Sequence, residues 1–522
     1  MDEPNLARQA ELQLERNGDY DTLFFEGAWH SSGSLADRAA RVAGGLAGHG
    51  VRPGDRVVVL MANCPEVLIA YSALWRAGAV VTPLIFLISA DELRHALADS
   101  GAVAVLTTPE FAGKVAVALD GAPSVRLVVV AGPAGAVPAP AGAVPGPESA
   151  TPVEVLPFAE LEAAEPAGIA DRGGEDLAAL LYTGGTTGRS KGVPLTQGNL
   201  FWCGWAATNS SEVPGLTSAL VPLPLAHAYG LLVACIGMHR SEPGQTVLMR
   251  WFDPAGWLDL AVRHRVHRTA LVPSMIQMLL ALPLEEHDLS ALVAVSSGAA
   301  PLAADVRQRW EAKVPGALIY EGYGCTESAS LISSNPYGRR RVGSVGLPVP
   351  GCEVSIQNEE GKDVPAGEDG EICVRSPGVT AGYWHSPEAS EAALAGGWLH
   401  TGDIGHLDAD GYLYVVDRKK DLIIRGGFNV YPRDVEDVLL AHPAVAMAAV
   451  VGRPDERMGE EVVGFVSLLP GASATEADLV EHARAHMAAT KYPREVRILD
   501  AIPLTSVGKL DRKRLRAEVS GR

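Results

Sequence analysis

The sequence is poor in cysteine, short of cations relative to acids, and without an apolar run long enough to span a bilayer. Its six cysteines (Cys64, Cys203, Cys235, Cys325, Cys352, Cys373) are scattered, with no CxxC pair and no histidine cluster beside them. That spacing argues against a disulfide frame or a zinc site, and a reducing cytoplasm is the expected compartment. The 43 Lys+Arg against 62 Asp+Glu leave a net charge of −19, a field that repels nucleic acid. Any phosphate-bearing ligand must be met by a few placed cations and backbone N–H groups. The longest nearly apolar stretch, from Ala77 to Ala90, falls short of about 18 residues and contains Pro83, so no transmembrane helix is expected. The opening residues are charged and lack the apolar core of a signal peptide.

What is present is apolar material on a scale that needs more than one core: 522 residues, 47% of them hydrophobic. From Ser34 to Thr108 helical patterns alternate with short β-branched runs, DRVVVLMA, AVVTPL and AVAVLTT, which indicates βαβ units and a parallel sheet. Residues 131–153, rich in Pro, Ala and Gly, read as a surface linker between two lobes, without chemistry. A second alternating region follows, in which DLAALLYT, TALVPS, LVAVSS and ALIYEGYG each end in Gly, Ser or Thr. Ligands collect beyond the carboxyl ends of such strands. From Gly343 short strands and turns suggest a small antiparallel or barrel-like piece, and a new α+β lobe starts near Arg418. No internal repeat is present.

The most informative segment is YTGGTTGRSKG, Tyr182–Gly192, directly after a strand-like run. Glycines among threonines let N–H groups and hydroxyls close around phosphate oxygens, and Lys191 adds a point charge. It is not a Walker A loop, since the lysine comes three residues after Gly188. The same string contains GRSKG, a formal nucleophile elbow centred on Ser190, which keeps a serine hydrolase as a remote alternative.

With later motifs in the same order, this segment resembles the adenylate-forming superfamily of acyl-CoA and aryl-CoA synthetases, peptide-synthetase adenylation domains and luciferases. The resemblance runs from about residue 30 to the C-terminus. It implies a domain of residues 1–417 with two flavodoxin-like parallel sheets and a small β-barrel subdomain, then a mobile α+β lid of residues 418–522. It also implies that Thr183, Gly184, Gly185, Thr186, Thr187, Gly188 and Lys191 hold the ATP phosphates. In PLPLAHAYG, His227, Tyr229 and Gly230 would divide the nucleotide site from the acyl pocket. No acidic residue lies between Glu212 and Glu242, which removes the aspartate that amino-acid adenylation domains use against a substrate ammonium.

The resemblance extends to Gly298, Ala299 and Ala300 of SSGAAPL, which would line the acyl channel and approach adenine. In EGYGCTES, with Gly322 and Gly324, the implied roles are Tyr323 on adenine, Thr326 on the α-phosphate and Glu327 on Mg²⁺, which Thr186 would also meet; Cys325 would border the substrate pocket. Asp403 and Arg418 resemble the pair that binds the ribose hydroxyls, and Lys420 falls at the hinge. Gly426 and Gly427 of GGFNVYP would line the pantetheine path, and Lys509 of PLTSVGK would be the catalytic lysine. The implied reaction activates a fatty or aryl acid with ATP and Mg²⁺ and transfers it to CoA. A carrier-protein phosphopantetheine, a non-thiol nucleophile and a diazotase-like reaction stay open as alternatives, as does a homodimer.

Overall fold

The computed structural model describes residues 4–132, 153–183, 190–226, 228–504 and 510–520. A seven-stranded sheet runs in the order Glu154–Pro157, Leu127–Val130, Ala104–Thr107, Arg56–Leu60, Val80–Pro83, Leu177–Thr183, Lys191–Thr196. All neighbours are parallel except the last pair, an antiparallel hairpin. Because side chains alternate across a strand, RVVVL feeds two cores at once: Val57 and Val59 enter one, Val58 and Leu60 the other. Burial on both faces explains why the strand reads as a continuous apolar run. Helices Ser32–Gly48 and Pro65–Arg76 cover the first face, and Ala90–Ser100 and Pro109–Ala118 the second.

The expected inter-lobe linker is corrected by this topology. Leu127–Val130 and Glu154–Pro157, which flank it, are parallel neighbours in one sheet. A parallel pair cannot be joined by a tight turn and needs a crossover of a dozen or more residues. The Pro/Ala-rich stretch is that crossover; residues 133–152 lie outside the described residues.

A nine-stranded sheet forms the second half, parallel from Leu318–Tyr323 through Ala294–Ser297, Arg268–Leu271, Ser218–Val221 and Gln245–Leu248 to Asp21–Phe25. Short antiparallel strands close both of its edges. Helices Gln197–Ser211 and Ala228–Gly237 lie between the two sheets and share the first core with Trp75 and Tyr71.

The piece expected as a small barrel is an open antiparallel sheet of Glu353–Gln357, Gly370–Arg375, Leu399–Leu407 and Leu413–Arg418. Among the described residues nothing pairs its first strand with its last. Four strands enclose too little interior for side chains to fill, so one face packs instead on Ile332, with Tyr323 and Cys325 at its margin. After a 3₁₀ turn, Lys419–Asp421, a further sheet follows, in which Val445–Asp455 and Gly459–Leu468 form the long central pair. Helices Pro432–Leu440 and Glu476–His486 cover one face of it and Arg512–Val519 the other.

Candidate active site

The phosphate motif is a hairpin. Thr183 ends one strand directly opposite Lys191 at the start of the next. The tip between them, with Gly184, Gly185, Thr186, Thr187 and Gly188, lies outside the described residues, as do His227 and Lys509. Ser190 borders the tip, and His95 meets its main-chain carbonyl at 3.0 Å. That ring nitrogen is directed at the main chain and not at the Ser190 hydroxyl.

The other motifs sit at the carboxyl ends of the nine-stranded sheet. Ser297 lies beside Glu321 in register, so Gly298 faces Gly322 in the next step, and a Cβ on Gly298 would approach the Gly322 carbonyl at 3.0 Å. Ala299 takes a left-handed conformation, φ 67°, and with Ala300 is exposed. Tyr323 closes its strand, and the chain turns through Gly324 into a 3₁₀ turn, Thr326–Ser328. A Cβ on Gly324 would lie 2.1 Å from the Ser330 carbonyl, so this turn admits no side chain. Gly324→Ala should cost about 1–3 kcal/mol of stability and weaken ATP binding, read from the melting temperature and the KM for ATP.

Two contact chains run out from this turn. On one side the Tyr323 hydroxyl donates to Asp403 Oδ2 at 2.6 Å, and Arg418 Nε meets Asp403 Oδ1 at 3.1 Å. Asp403 and Arg418 are cross-strand partners in the small sheet, which places them side by side. Asp403 is 6% exposed. Burial and the Asp403 charge push the Tyr323 phenol well above its usual range, so it stays a donor. On the other side the Tyr383 hydroxyl donates to Glu327 Oε1 at 2.8 Å, and Lys191 Nζ lies 5.0 Å from the centre of the same tyrosine ring. Lys191, Tyr383 and Glu327 on one side and Tyr323, Asp403 and Arg418 on the other thus flank the same turn.

Glu321, at the head of the same motif, is half-buried near Arg433, Arg307, Arg340 and Asp437. Burial is the largest effect and holds its carboxyl at about 7. An acid whose folded pKa is raised keeps its proton while the unfolded chain loses it. Stability should therefore fall from about pH 4.5 to pH 7, by up to about 3 kcal/mol, and level off above. Glu321→Gln should flatten that fall, measured by melting temperature across the pH range.

Tyr229 heads the helix Ala228–Gly237, half-buried against the first core, and burial pushes its phenol up to about 12. The helix, AYGLLVACIG, carries no aspartate or glutamate, and Gly230 packs under Leu225. Three positioning residues escape a reading of the sequence. Asn63 donates to the Leu223 and Met249 carbonyls and accepts from the Leu225 N–H, and the Tyr71 hydroxyl donates to the Leu225 carbonyl. Both anchor the strand end that leads to His227. They come from far upstream, in helix-and-strand texture that reads as core. The third, Tyr383 in GYWHSP, is a single aromatic in a turn-rich stretch, with no period to mark it.

Lys420 lies in the 3₁₀ turn, beside Asp421, which is buried and paired with Arg516 and Arg512. Gly426 and Gly427 take left-handed φ values of 58° and 82°, forming a turn that leaves Phe428 57% exposed and follows Ile424, 53% exposed. Leu504 and Leu510 pair across the segment that contains Lys509, and the Asp511 N–H donates to the Pro503 carbonyl at 2.9 Å.

The chain matches the AMP-binding enzyme family over residues 10–384 and the AMP-binding enzyme C-terminal domain over residues 434–509. It is 38% identical over 485 residues to a feruloyl-CoA synthase of an Amycolatopsis species, covering 91% of each chain. It is 34% identical over 536 residues to a long-chain-fatty-acid–CoA ligase of Bacillus subtilis, covering 99% of this chain and 95% of that one. A solved anthranilate CoA ligase in complex with anthranoyl-AMP superposes with a TM-score of 0.88 at 27% identity, over 99% of this chain and 98% of that one. The chain belongs to the AMP-binding enzyme family, in the acyl-CoA synthetase-like group of adenylate-forming enzymes. ATP and CoA are the substrates of acyl-CoA synthetases in this family.

Proposed function

We propose that the protein activates an apolar carboxylic acid, aryl or fatty, with ATP to give acyl-AMP and pyrophosphate, then passes the acyl group to the CoA thiol and releases AMP. The observation that carries this reading is the pair of contact chains that meet at one turn, Lys191–Tyr383–Glu327 on one side and Tyr323–Asp403–Arg418 on the other. A phosphate-binding cation, a free carboxylate oxygen and a sugar-binding carboxylate in one surface suit a nucleoside triphosphate.

A carboxylate is a poor electrophile, because its charge repels nucleophiles and oxide does not leave. Its oxygen attacks the α-phosphorus, the bond to pyrophosphate breaks, and the acid becomes a mixed anhydride. Lys191 neutralises the departing phosphates, together with the N–H groups and hydroxyls of residues 183–188. Asp403 accepts the ribose hydroxyls, and Arg418 and the Tyr323 hydroxyl hold its carboxylate still. Lys509 bridges the attacking carboxylate and the α-phosphate. Little covalent work falls to the protein, so position and charge dominate.

Glu327 suits a Mg²⁺ ion. Oε1 takes the Tyr383 hydroxyl, no described residue hydrogen-bonds Oε2, and no cluster of three or more acidic, histidine or cysteine ligands occurs among the described residues. One carboxylate oxygen, with water and phosphate filling the rest, is how Mg²⁺ is commonly held beside nucleotides. The ion, when bound, supplies positive charge to the triphosphate. Thr186, outside the described residues, would be its second contact.

For the thiol step the C-terminal lobe turns about Lys420, withdrawing Lys509 and bringing the Gly426–Gly427 turn to the pantetheine path. The exposure of Phe428 and Ile424 supports this, since both belong on a face that is covered in a second arrangement. Arg433 latches the present arrangement: its N–H donates to Asp417 Oδ2 and its guanidinium to the Val415 carbonyl. An acid with an ammonium group is disfavoured by the acid-free helix Ala228–Gly237. The six free thiols suit a reducing cytoplasm, and no described helix is long and apolar enough to cross a membrane.

The test is pyrophosphate release across aryl, aliphatic and amino acids, with CoA, with a phosphopantetheinyl carrier protein, and with neither. Acid-dependent pyrophosphate for apolar acids and acyl-CoA by mass spectrometry are expected. No ATP consumption with any acid overturns the reading, and acyl transfer to carrier protein alone replaces CoA as the acceptor.

A further inference from the structure

Tyr383 is shared by two groups that no sequence motif joins. Its hydroxyl donates to Glu327 Oε1 at 2.8 Å, and its ring lies under Lys191 Nζ at 5.0 Å, within the range of a cation–π contact. The backbone on either side is pinned to the same two elements. The Thr380 N–H donates to the Glu327 carbonyl at 2.8 Å and its hydroxyl to the Pro194 carbonyl at 2.7 Å. The Trp384 N–H donates to the Gly192 carbonyl at 2.8 Å, and its indole N–H to the Asp99 carbonyl at 3.1 Å. The ring therefore cannot drift without moving both the phosphate hairpin and the turn that carries Glu327.

Lone-pair geometry gives the hydroxyl a specific role. A carboxylate has two equivalent oxygens and turns freely about its last bond unless one is occupied. The phenol occupies Oε1, which leaves Oε2 as the oxygen offered to a cation. The ring acts separately, stabilising the ammonium of Lys191 at the base of the hairpin, on the side facing Tyr383.

We propose that Tyr383 is a positioning residue for adenylation, its hydroxyl aiming Glu327 at the metal and its ring setting the place of Lys191, so that carboxylate and ammonium meet one triphosphate at a fixed spacing. This rests on the adenylation reading above. Outer-sphere partners of metal ligands typically change metal affinity by about 10–100-fold when removed, and an exposed cation–π contact is worth a factor of about 2–5 in binding.

The roles of hydroxyl and ring separate in two variants. Tyr383→Phe keeps the ring and loses the hydroxyl; Tyr383→Leu loses both. Electron paramagnetic resonance titration of Mn²⁺ into the enzyme–ATP complex should show about 10-fold weaker Mn²⁺ binding in Tyr383→Phe. The Mg²⁺ concentration for half-maximal pyrophosphate release should shift alike, with the acid KM and melting temperature unchanged. Calorimetry with ATP and no metal should give wild-type affinity for Tyr383→Phe and about 2–5-fold weaker affinity for Tyr383→Leu. Wild-type Mn²⁺ affinity in Tyr383→Phe overturns the proposal. So does a Tyr383→Phe protein whose acid KM, melting temperature and metal dependence all worsen together, which marks a packing role. A wild-type enzyme with no acid-dependent pyrophosphate release instead sinks the adenylation reading, and this proposal with it.

Discussion

Lys509→Ala should lower acid-dependent pyrophosphate release by about 10²–10³-fold or more, while thioester formation from supplied acyl-AMP and CoA proceeds near the wild-type rate. The attack brings a carboxylate against an anionic α-phosphate, and without a cation between them their repulsion enters the barrier in full. The second half-reaction has no such meeting of anions, because a thiol attacks a neutral carbonyl. Stopped assays of each half with the same preparation decide it. Equal loss in both halves would end the division of labour between the two arrangements of the C-terminal lobe.

Lys420→Pro should do the reverse. Proline fixes its own φ near −65° and pushes the preceding residue out of the helical region. Lys419–Asp421 is a 3₁₀ turn between the small sheet and the C-terminal sheet, so the substitution acts on the joint itself. We expect overall acyl-CoA formation to fall on the order of 10²-fold, the usual scale for misplaced reacting groups, with pyrophosphate release changed only a few-fold. Unchanged overall turnover would remove Lys420 from the hinge. The joint also reaches toward Lys509: buried Asp421 holds Arg512 and Arg516, which follow the Leu504–Leu510 pairing on the same helix. Asp421 thus ties the turn to the helix Arg512–Val519, which follows Lys509 in the chain.

Much of this is legible in the chain's own order of residues. The strand runs RVVVL, AVLT and LVVV announce themselves because both faces are buried, and the motif order indicates which strand ends meet. The Pro/Ala-rich stretch misleads because composition reports only that a segment has no core of its own; whether it joins lobes or neighbouring strands depends on pairings made outside it. The small sheet reads as a barrel because short strands and turns look alike whether or not the last strand returns to the first. Asn63, Tyr71 and Tyr383 are invisible for a different reason. Each works through a contact to a backbone or a carboxylate distant in sequence, and nothing in the local pattern distinguishes a buried tyrosine that fills space from one that donates to Glu327.

The crossover between Leu127–Val130 and Glu154–Pro157 leaves and re-enters the seven-stranded sheet at its outer rim, whereas the Lys191 hairpin occupies the opposite rim. Distance of that kind makes it a natural splice point. A reporter inserted between the strands Leu127–Val130 and Glu154–Pro157 should therefore leave acid-dependent pyrophosphate release unchanged, since the strands it joins lie at the rim away from Lys191.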